Sequence, residues 1–111
     1  MQHDCIFCKI IEGQIPCQKI HESSELIVIK DIAPRAPIHY LVIPKKHIKN
    51  LKSAESEDEN LLASMLLVTK ELAKGLVEPQ DFRLVSNNGS SVGQSVLHLH
   101  FHFLAGKQFC E

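Results

Sequence analysis

The sequence predicts an α+β domain in which one long helix packs against an antiparallel sheet. One segment carries apolar residues at three- and four-residue intervals, which is typical of an amphipathic helix. Several shorter runs are rich in β-branched residues and follow one another along the chain, which favours antiparallel pairing. A chain of 111 residues can bury one core. We therefore predict a single domain over residues 1–111.

The predicted elements follow in order along the chain. A short helical turn covers Phe7–Glu12, and a hairpin turns at Ser23–Ser24, because serine suits tight turns. Pro44 ends one strand run, and the turn-forming residues Asn87–Ser91 end another. The predicted strands are Lys19–Glu22, Leu26–Lys30, Tyr40–Ile43, Phe82–Ser86 and Leu97–Leu104.

The long helix is predicted to begin at Ser56 and to stop at Gly75. Ser56 and Glu59 fit a capping box, in which a serine and the glutamate three residues later bind the free amides at a helix start. The acidic residues there also suit the positive end of the helix dipole. We interpret the apolar stripe of this helix as core: Leu61, Leu62, Met65, Leu66, Thr69, Leu72 and Ala73.

Composition excludes several classes of protein. The chain has 12 Lys and Arg against 13 Asp and Glu, a formal net charge of −1 and a pI near 6.6. It therefore lacks the basic excess that binds nucleic acid or anionic membranes. Apolar runs such as Leu26–Ile29 and Met65–Val68 are far shorter than the ~20 residues of a membrane helix, and Met1–Asp4 shows no signal-peptide pattern. We expect a cytoplasmic protein with no nucleic-acid or membrane partner.

Three histidines alternate with apolar residues near the end of the chain. Strand periodicity places the three histidines, His98, His100 and His102, on one face. Leu99, Phe101 and Phe103 then lie on the other face. A solvated strand face is one interpretation, and metal binding is another. Because His98 and His102 lie roughly 13 Å apart along a strand, all three cannot bind one tetrahedral ion. A neutral imidazole is also a nucleophile near pH 7, which favours covalent and acid–base catalysis.

The loop Asn87–Ser95 leads directly into the histidine segment. It is rich in glycine, hydroxyls and amides, and such a loop can direct backbone amides at an anion. An ordinary connecting loop is the alternative interpretation. An anion cradle joined to histidines indicates chemistry at phosphorus. Because no Rossmann or P-loop motif is present, the site belongs to neither of those classes.

The segment His98–Leu104 resembles the signature of the histidine-triad family of nucleotide hydrolases and transferases, in which three histidines alternate with apolar residues. The segments Cys5–Ile11, Asp31–His47 and Gly93–Val96 resemble the Hint branch of that family. The resemblance covers roughly residues 5–107. It implies a sheet of about five antiparallel strands with one long helix and a short N-terminal helix. It also implies a homodimer in which two protomers form one ten-stranded sheet.

The resemblance implies a reaction and a set of catalytic residues. His100 would attack the α-phosphorus of a purine nucleoside phosphoramidate and form a nucleotidyl-histidine, which water would hydrolyse to a nucleoside monophosphate. A backbone carbonyl at His98 would fix the reactive tautomer of His100. His102 would bind phosphate, His39 would lie near the nucleophile, and Ser95 would donate to the phosphate or the leaving group. The resemblance implies no cofactor for catalysis.

The resemblance also assigns a nucleotide pocket. Asp31 would accept hydrogen bonds from the ribose hydroxyls, since a carboxylate can accept both. Phe7, Ile10, Ile32 and Leu41 would form an apolar slot for the base, and simple core packing is the alternative for these four. The residues expected at the phosphate are Asn87, Gly93, Gln94, Ser95, His100 and His102.

Cys5 and Cys8 form a Cys-x-x-Cys pair, whose two thiolates can bind one zinc ion. In some bacterial relatives with this motif, the remaining ligands correspond to His47 and His98. The resemblance thus implies a closed, structural zinc site. Two reduced cysteines without metal are the alternative interpretation.

Three other functions stay open at this point. A second enzyme of the same family would hydrolyse dinucleoside polyphosphates, and the Hint-like middle segment argues against it. A non-catalytic nucleotide-binding regulator is less favoured, because the triad and Ser95 are complete. A histidine-rich metalloenzyme is disfavoured because the chain offers no obvious carboxylate partner for an open metal site.

Overall fold

The computed structural model describes residues 4–110. Across those residues, no helix is both long enough and apolar enough to cross a membrane. Short 3-10 turns occupy Leu51–Ser53, Ser56–Asp58 and Ser90–Val92. The helices and strands are α1 (Ile6–Ile11), β1 (Lys19–Glu22), β2 (Leu26–Lys30), β3 (Ile38–Pro44), α2 (Glu59–Ala73), β4 (Arg83–Val85) and β5 (Phe101–Ala105).

The five strands form one sheet in the order β1-β2-β3-β5-β4, and every neighbouring pair is antiparallel. The two helices pack on apolar side chains that alternate along the strands. The cluster beneath α2 includes Val28, Val42 and Phe101, whereas the cluster around α1 includes Ile27 and Ile43. The predicted antiparallel sheet with one long and one short helix is therefore confirmed.

The last strand begins later than the sequence predicts. We predicted a strand from Leu97, but the ladder of β5 begins at Phe101. The preceding residues bend away from regular pairing. The backbone N–H of Leu99 donates to the carbonyl of Ile48 at 2.6 Å, beyond the end of β3. Every residue from His98 to Ala105 is buried, although regular strand pairing starts only at Phe101.

Two other strand bounds also differ from the prediction. β3 is longer than the predicted Tyr40–Ile43, because Ile38 pairs with Ala105 and Pro44 pairs with Leu26. A proline at the last strand position is tolerated because it needs no ladder N–H there. β4 is limited to Arg83–Val85, the three residues that pair with β5.

The start of the long helix corrects the predicted capping box. Ser56 and Glu59 do not form it, because a 3-10 turn over Ser56–Asp58 precedes the helix. The capping carboxylate belongs to Asp58, which accepts a hydrogen bond from the backbone N–H of Glu55 at 2.9 Å. Asp58 also binds the ammonium group of Lys46 at 2.6 Å. The capping pair therefore lies one residue earlier than predicted.

The buried face of α2 overlaps the predicted stripe in part. Met65 and Thr69 are buried as predicted, and Val68, which the stripe omitted, is buried as well. Leu66 is 50% exposed and lies off the core face. Gly75 lies in the turn that follows the helix. The stripe members that pack partly buried against the core are Leu61, Leu62 and Leu72.

Candidate active site

The triad histidines are buried together on the α1 face of the sheet. His98 is fully buried, and His100 and His102 are nearly so. The ring centroids of His100 and His102 lie 5.1 Å apart. His39 on β3 joins them, with its Nε2 at 2.9 Å from Nδ1 of His102. The structure thus brings together the four histidines that the sequence analysis placed in the catalytic site.

A backbone carbonyl fixes the tautomer of His100. Nδ1 of His100 lies 2.7 Å from the carbonyl oxygen of His98. Because a carbonyl only accepts, Nδ1 carries the hydrogen and Nε2 keeps its lone pair. Burial lowers the pKa of His100 below its ordinary value, so the ring is neutral at pH 7. A neutral ring with a free Nε2 can act as a nucleophile.

A second chain of hydrogen bonds fixes His39 and His102. The backbone N–H of Arg35 donates to Nδ1 of His39 at 3.1 Å, so the hydrogen of neutral His39 is on Nε2. That Nε2–H donates to Nδ1 of His102, which places the hydrogen of His102 on its own Nε2. Burial, aided by His100 and Arg35, lowers the pKa of His102 to about 4. His102 is therefore a neutral ring that can donate from Nε2.

Arg35 is a site residue that the sequence analysis missed. Its side chain donates from Nη2 to Nδ1 of His102 at 3.2 Å, in addition to its backbone contact with His39. Arg35 and His102 are 67 positions apart in the chain. An arginine in a proline-containing turn has no local signal that separates it from an ordinary surface residue. Only the sheet brings it to the histidines.

Asp31 lies at the end of β2, next to His39. Its Oδ2 is 3.4 Å from Nε2 of His39, and its Oδ1 accepts from the backbone N–H of Ala33 at 2.8 Å. Burial lowers the pKa of His39, and the carboxylate of Asp31 opposes that effect. Asp31 thus places a negative charge beside the histidines while keeping lone pairs for other donors.

Three of the four predicted base-slot residues belong to one packed cluster. Phe7, Ile10 and Leu41 are buried together, and the ring of Phe7 meets His100 edge-on with centroids 5.0 Å apart. Ile32 lies outside this cluster and is 98% exposed. The structure therefore does not bring Ile32 into contact with the other three.

The glycine-rich loop closes on itself. Gly93 has a φ of 102°, and a Cβ there would contact the side chain of Asn87 at 3.8 Å. The amides that were expected to cradle an anion are partly used inside the loop: the N–H of Gly93 donates to Ser90, and that of Gln94 donates to Gly89. These bonds hold the loop as a compact turn.

Gln94 braces this loop against the rest of the protein. Its side chain donates to the carbonyl of Lys49 at 2.7 Å and accepts from the N–H of Gly89 at 2.8 Å. Gln94 is buried, and its side-chain hydrogen bonds are made with backbone groups. Ser95 is exposed and lines a cavity of about 510 Å³ together with Cys5 and other residues.

Cys5, Cys8, His47 and His98 converge on one point. Their donor atoms all lie within 4.8 Å of one another. Sγ of Cys5 is 3.2 Å and Sγ of Cys8 is 3.6 Å from Nδ1 of His98, and Nδ1 of His47 is 3.3 Å from Sγ of Cys8. Bonds of about 2.0–2.3 Å around tetrahedral zinc separate the ligand atoms by about 3.3–3.8 Å. The cluster therefore fits a tetrahedral zinc ion.

The surroundings of His98 also fit a metal ligand. Its Nε2 lies 2.8 Å from the carbonyl oxygen of Pro44, so Nε2 carries the hydrogen and Nδ1 presents a lone pair to the sulfurs. Burial lowers the pKa of His98 to about 4, which keeps this lone pair unprotonated at neutral pH. The four side chains would occupy all four coordination positions of a tetrahedral zinc ion, so no position would be left for substrate.

Comparison with known proteins identifies the family. A family model described as scavenger mRNA decapping enzyme C-term binding matches residues 4–109. An uncharacterized HIT-like protein of Synechocystis is 47% identical over 109 residues, which cover 98% of this chain and 96% of that protein. The chain therefore belongs to the histidine-triad (HIT) family.

Solved structures show the same fold. A HIT family hydrolase from Clostridium thermocellum superposes with a TM-score of 0.94 at 37% identity, covering 100% of this chain and 97% of that one. A HIT family hydrolase from Legionella pneumophila superposes with a TM-score of 0.89 at 44% identity, covering 95% of each chain. The predicted fold of the family is confirmed.

Proposed function

We propose that this protein is a hydrolase of the Hint branch that binds purine nucleotides. It cleaves the P–N bond of nucleoside 5'-phosphoramidates and releases a nucleoside monophosphate. The observation that carries this proposal is the hydrogen bond from Nδ1 of His100 to the carbonyl of His98 at 2.7 Å. That bond leaves a neutral imidazole with its Nε2 lone pair available for attack at phosphorus.

The reaction proceeds in two displacements. Nε2 of His100 forms a bond to the α-phosphorus while the bond from phosphorus to the amine nitrogen breaks. The amine leaves with a proton from a donor in the site, and we assign that donation to Nε2–H of His102 or the hydroxyl of Ser95. Water then attacks the nucleotidyl-histidine, and its oxygen bonds to phosphorus while the bond from phosphorus to Nε2 of His100 breaks. The proton of the water returns to the group that protonated the amine, which restores the site. Splitting one displacement into two lowers the barrier of each.

The neighbouring residues support binding of a nucleoside. Asp31 keeps lone pairs that can accept hydrogen bonds from the two ribose hydroxyls. The exposed side chain of Ile32 is an apolar surface beside Asp31, and a purine that covered it would remove that surface from water. In this arrangement Phe7, Ile10 and Leu41 support His100 and the floor of the pocket, and Asn87, Gly93 and Gln94 shape the loop that faces the phosphate.

The test is release of AMP from an adenosine phosphoramidate by the wild type and by His100→Ala. We expect the variant to lose about 10³-fold or more in kcat, because removal of a nucleophile abolishes the covalent route. Circular dichroism of both proteins controls for folding. Equal, slow release by the two proteins would contradict the proposal. Faster release of AMP from a dinucleoside triphosphate than from the phosphoramidate would favour the polyphosphate hydrolase instead.

We also propose that Cys5, Cys8, His47 and His98 hold a structural zinc ion. A bound zinc would tie α1 to the segment before β5 and stabilise the fold. The residues proposed to act on substrate, His100 and His102, lie outside this ligand set, so we propose that the zinc takes no part in catalysis. Turnover that survives a chelator on the timescale of the assay would support this separation, and immediate loss of turnover would contradict it.

A homodimer is the proposed assembly. Leu66 and Leu67 on α2 are 50% and 65% exposed, and β4 lies at an edge of the sheet. Pairing across these two features would bury the leucines and join two sheets. Light scattering after size-exclusion chromatography measures the mass, and a value near 12.5 kDa would contradict the dimer. A cytoplasmic location stays a prediction from the sequence.

A further inference from the structure

A cleft lies beside the histidines, toward the β4 edge of the sheet. Its volume is about 300 Å³, which is at the lower end for small-molecule sites. We call it the cationic cleft. Its lining residues are Arg35, Arg83, Val85, Leu104, Lys107 and Phe109.

Strand register connects the cationic cleft to the catalytic histidines. Val85 lies directly opposite His102, and Arg83 lies opposite Leu104. Side chains of directly opposed residues share a face of the sheet and lie about 5 Å apart. Arg35 closes the gap between the two sites, because its guanidinium contacts Nδ1 of His102 at 3.2 Å. A group that leaves the phosphorus near His102 can therefore enter the cleft.

The charge of the cleft is positive. Arg83 and Lys107 each place their charged group 5.4 Å from the centre of the Phe109 ring. Within residues 4–110, neither of these cations nor Arg35 forms a salt bridge. Arg83 donates from one nitrogen to the carbonyl of Cys110 at 3.1 Å, and among residues 4–110 its other donors have no hydrogen-bond partner, so they can bind a ligand. The nearby acid is Asp81, which lines an adjoining cavity with Arg83.

We propose that the cationic cleft is a leaving-group subsite that selects substrates whose departing amine carries an anion. This inference rests on the proposed phosphoramidase function and adds the class of leaving group. Guanidinium groups bind carboxylate and phosphate through directed, charge-assisted hydrogen bonds. The small volume favours an anion of amino-acid size. A carboxylate and a phosphate present the same chemistry to this cleft, so the experiment compares both.

The experiment uses three adenosine phosphoramidates with the same P–N bond. The leaving amines are ethanolamine, which is neutral, glycine, which carries a carboxylate, and phosphoethanolamine, which carries a phosphate. We expect kcat/KM of the wild type to be about tenfold higher for at least one anionic substrate than for the neutral one. One charge-assisted hydrogen bond in the transition state is sufficient for a difference of about this size. The larger of the two ratios identifies the preferred anion.

Variants of the cleft test the origin of this selectivity. Arg83→Gln and Lys107→Gln should each lower the ratio of anionic to neutral kcat/KM at least threefold. Lys74→Gln is the matched control, because Lys74 lies at the far end of α2 and pairs with Glu71, and its ratio should equal that of the wild type. Testing Lys107 as well as Arg83 keeps the experiment informative if one variant folds poorly.

Two outcomes would overturn the inference in different ways. A wild-type ratio near one, or a raised ratio that neither variant lowers, would reject the subsite while turnover of the neutral substrate still supports the phosphoramidase. Absence of turnover with all three substrates would reject the proposed function and the inference together.

Discussion

The two faces of the sheet are built from different chemistry. On one face, α2 packs Met65 and Val68 against apolar side chains, and burial of apolar surface stabilises it. On the other face, α1 has six residues, too few to be stable alone. There, Cys5 caps α1 by accepting from the N–H of Cys8 at 3.3 Å, and the buried histidines lie close by. The α2 face is packed by apolar side chains, whereas the α1 face combines an apolar cluster with polar groups held in fixed positions.

The strongest way to disturb the α1 face is to remove a side chain of the proposed zinc site. Cys8→Ser should abolish zinc binding and lower Tm by about 10 °C or more, because a structural metal contributes directly to the free energy of folding. Elemental analysis of protein purified without chelators and thermal unfolding measure both effects. Cys17→Ser, which changes a thiol outside the cluster, is the control. Wild-type protein without zinc would contradict the site.

The α2 face should respond to a loss of packing alone. Met65 is fully buried, so Met65→Ala should lower the free energy of unfolding by about 2–5 kcal/mol through lost burial and a cavity. Urea unfolding measures this change. The kcat of the folded fraction should stay near the wild-type value, because Met65 lies on the opposite face from His100. A large fall in kcat would show that the two faces are coupled.

Acid should destabilise the α1 face through its histidines. The pKa of His102 is about 4 in the folded protein against 6.5 in the unfolded chain, so the unfolded chain binds more protons between these pH values. The free energy of unfolding therefore falls as pH decreases from 6.5 to 4, by at most about 3 kcal/mol from this residue. His102→Gln should flatten the dependence relative to wild type, whereas exposed His21→Gln should not. Identical curves for wild type and His102→Gln would contradict this assignment.

The smallest expected effect concerns the start of α2. Asp58→Ala removes the capping contact with the N–H of Glu55 and the contact with Lys46. We expect a loss of about 1 kcal/mol in the free energy of unfolding. Ser56→Ala should have almost no effect, since Ser56 is not the capping residue. Urea unfolding measures both losses. A larger loss in the free energy of unfolding for Ser56→Ala than for Asp58→Ala would contradict Asp58 as the capping residue and favour the capping box predicted from the sequence.

Local patterns were sufficient to predict much of the architecture. The β-branched run gave Leu26–Lys30, and the hairpin turn before it gave Lys19–Glu22, both with the observed bounds, because these patterns depend only on neighbouring residues. The Cys-x-x-Cys spacing and the family resemblance together predicted that Cys5, Cys8, His47 and His98 converge, as they do in the structure. The last strand was predicted to begin at Leu97, whereas β5 begins at Phe101. The start of this strand depends on contacts with the segment after β3 and not on its own periodicity.

What the sequence by itself determined is the set of chemical groups and the fold that carries them: an antiparallel sheet, two helices, and histidines that alternate with apolar residues. The tertiary structure decided how those groups are used. The family resemblance already implied the contact of His100 with the carbonyl of His98, whereas only the structure shows that the backbone of Arg35 fixes the tautomer of His39. The position of Arg35 against His102 depends on the pairing of distant strands. A hydrogen bond forms only where donor and acceptor meet, and chain folding alone brings residues that are far apart in sequence to that distance.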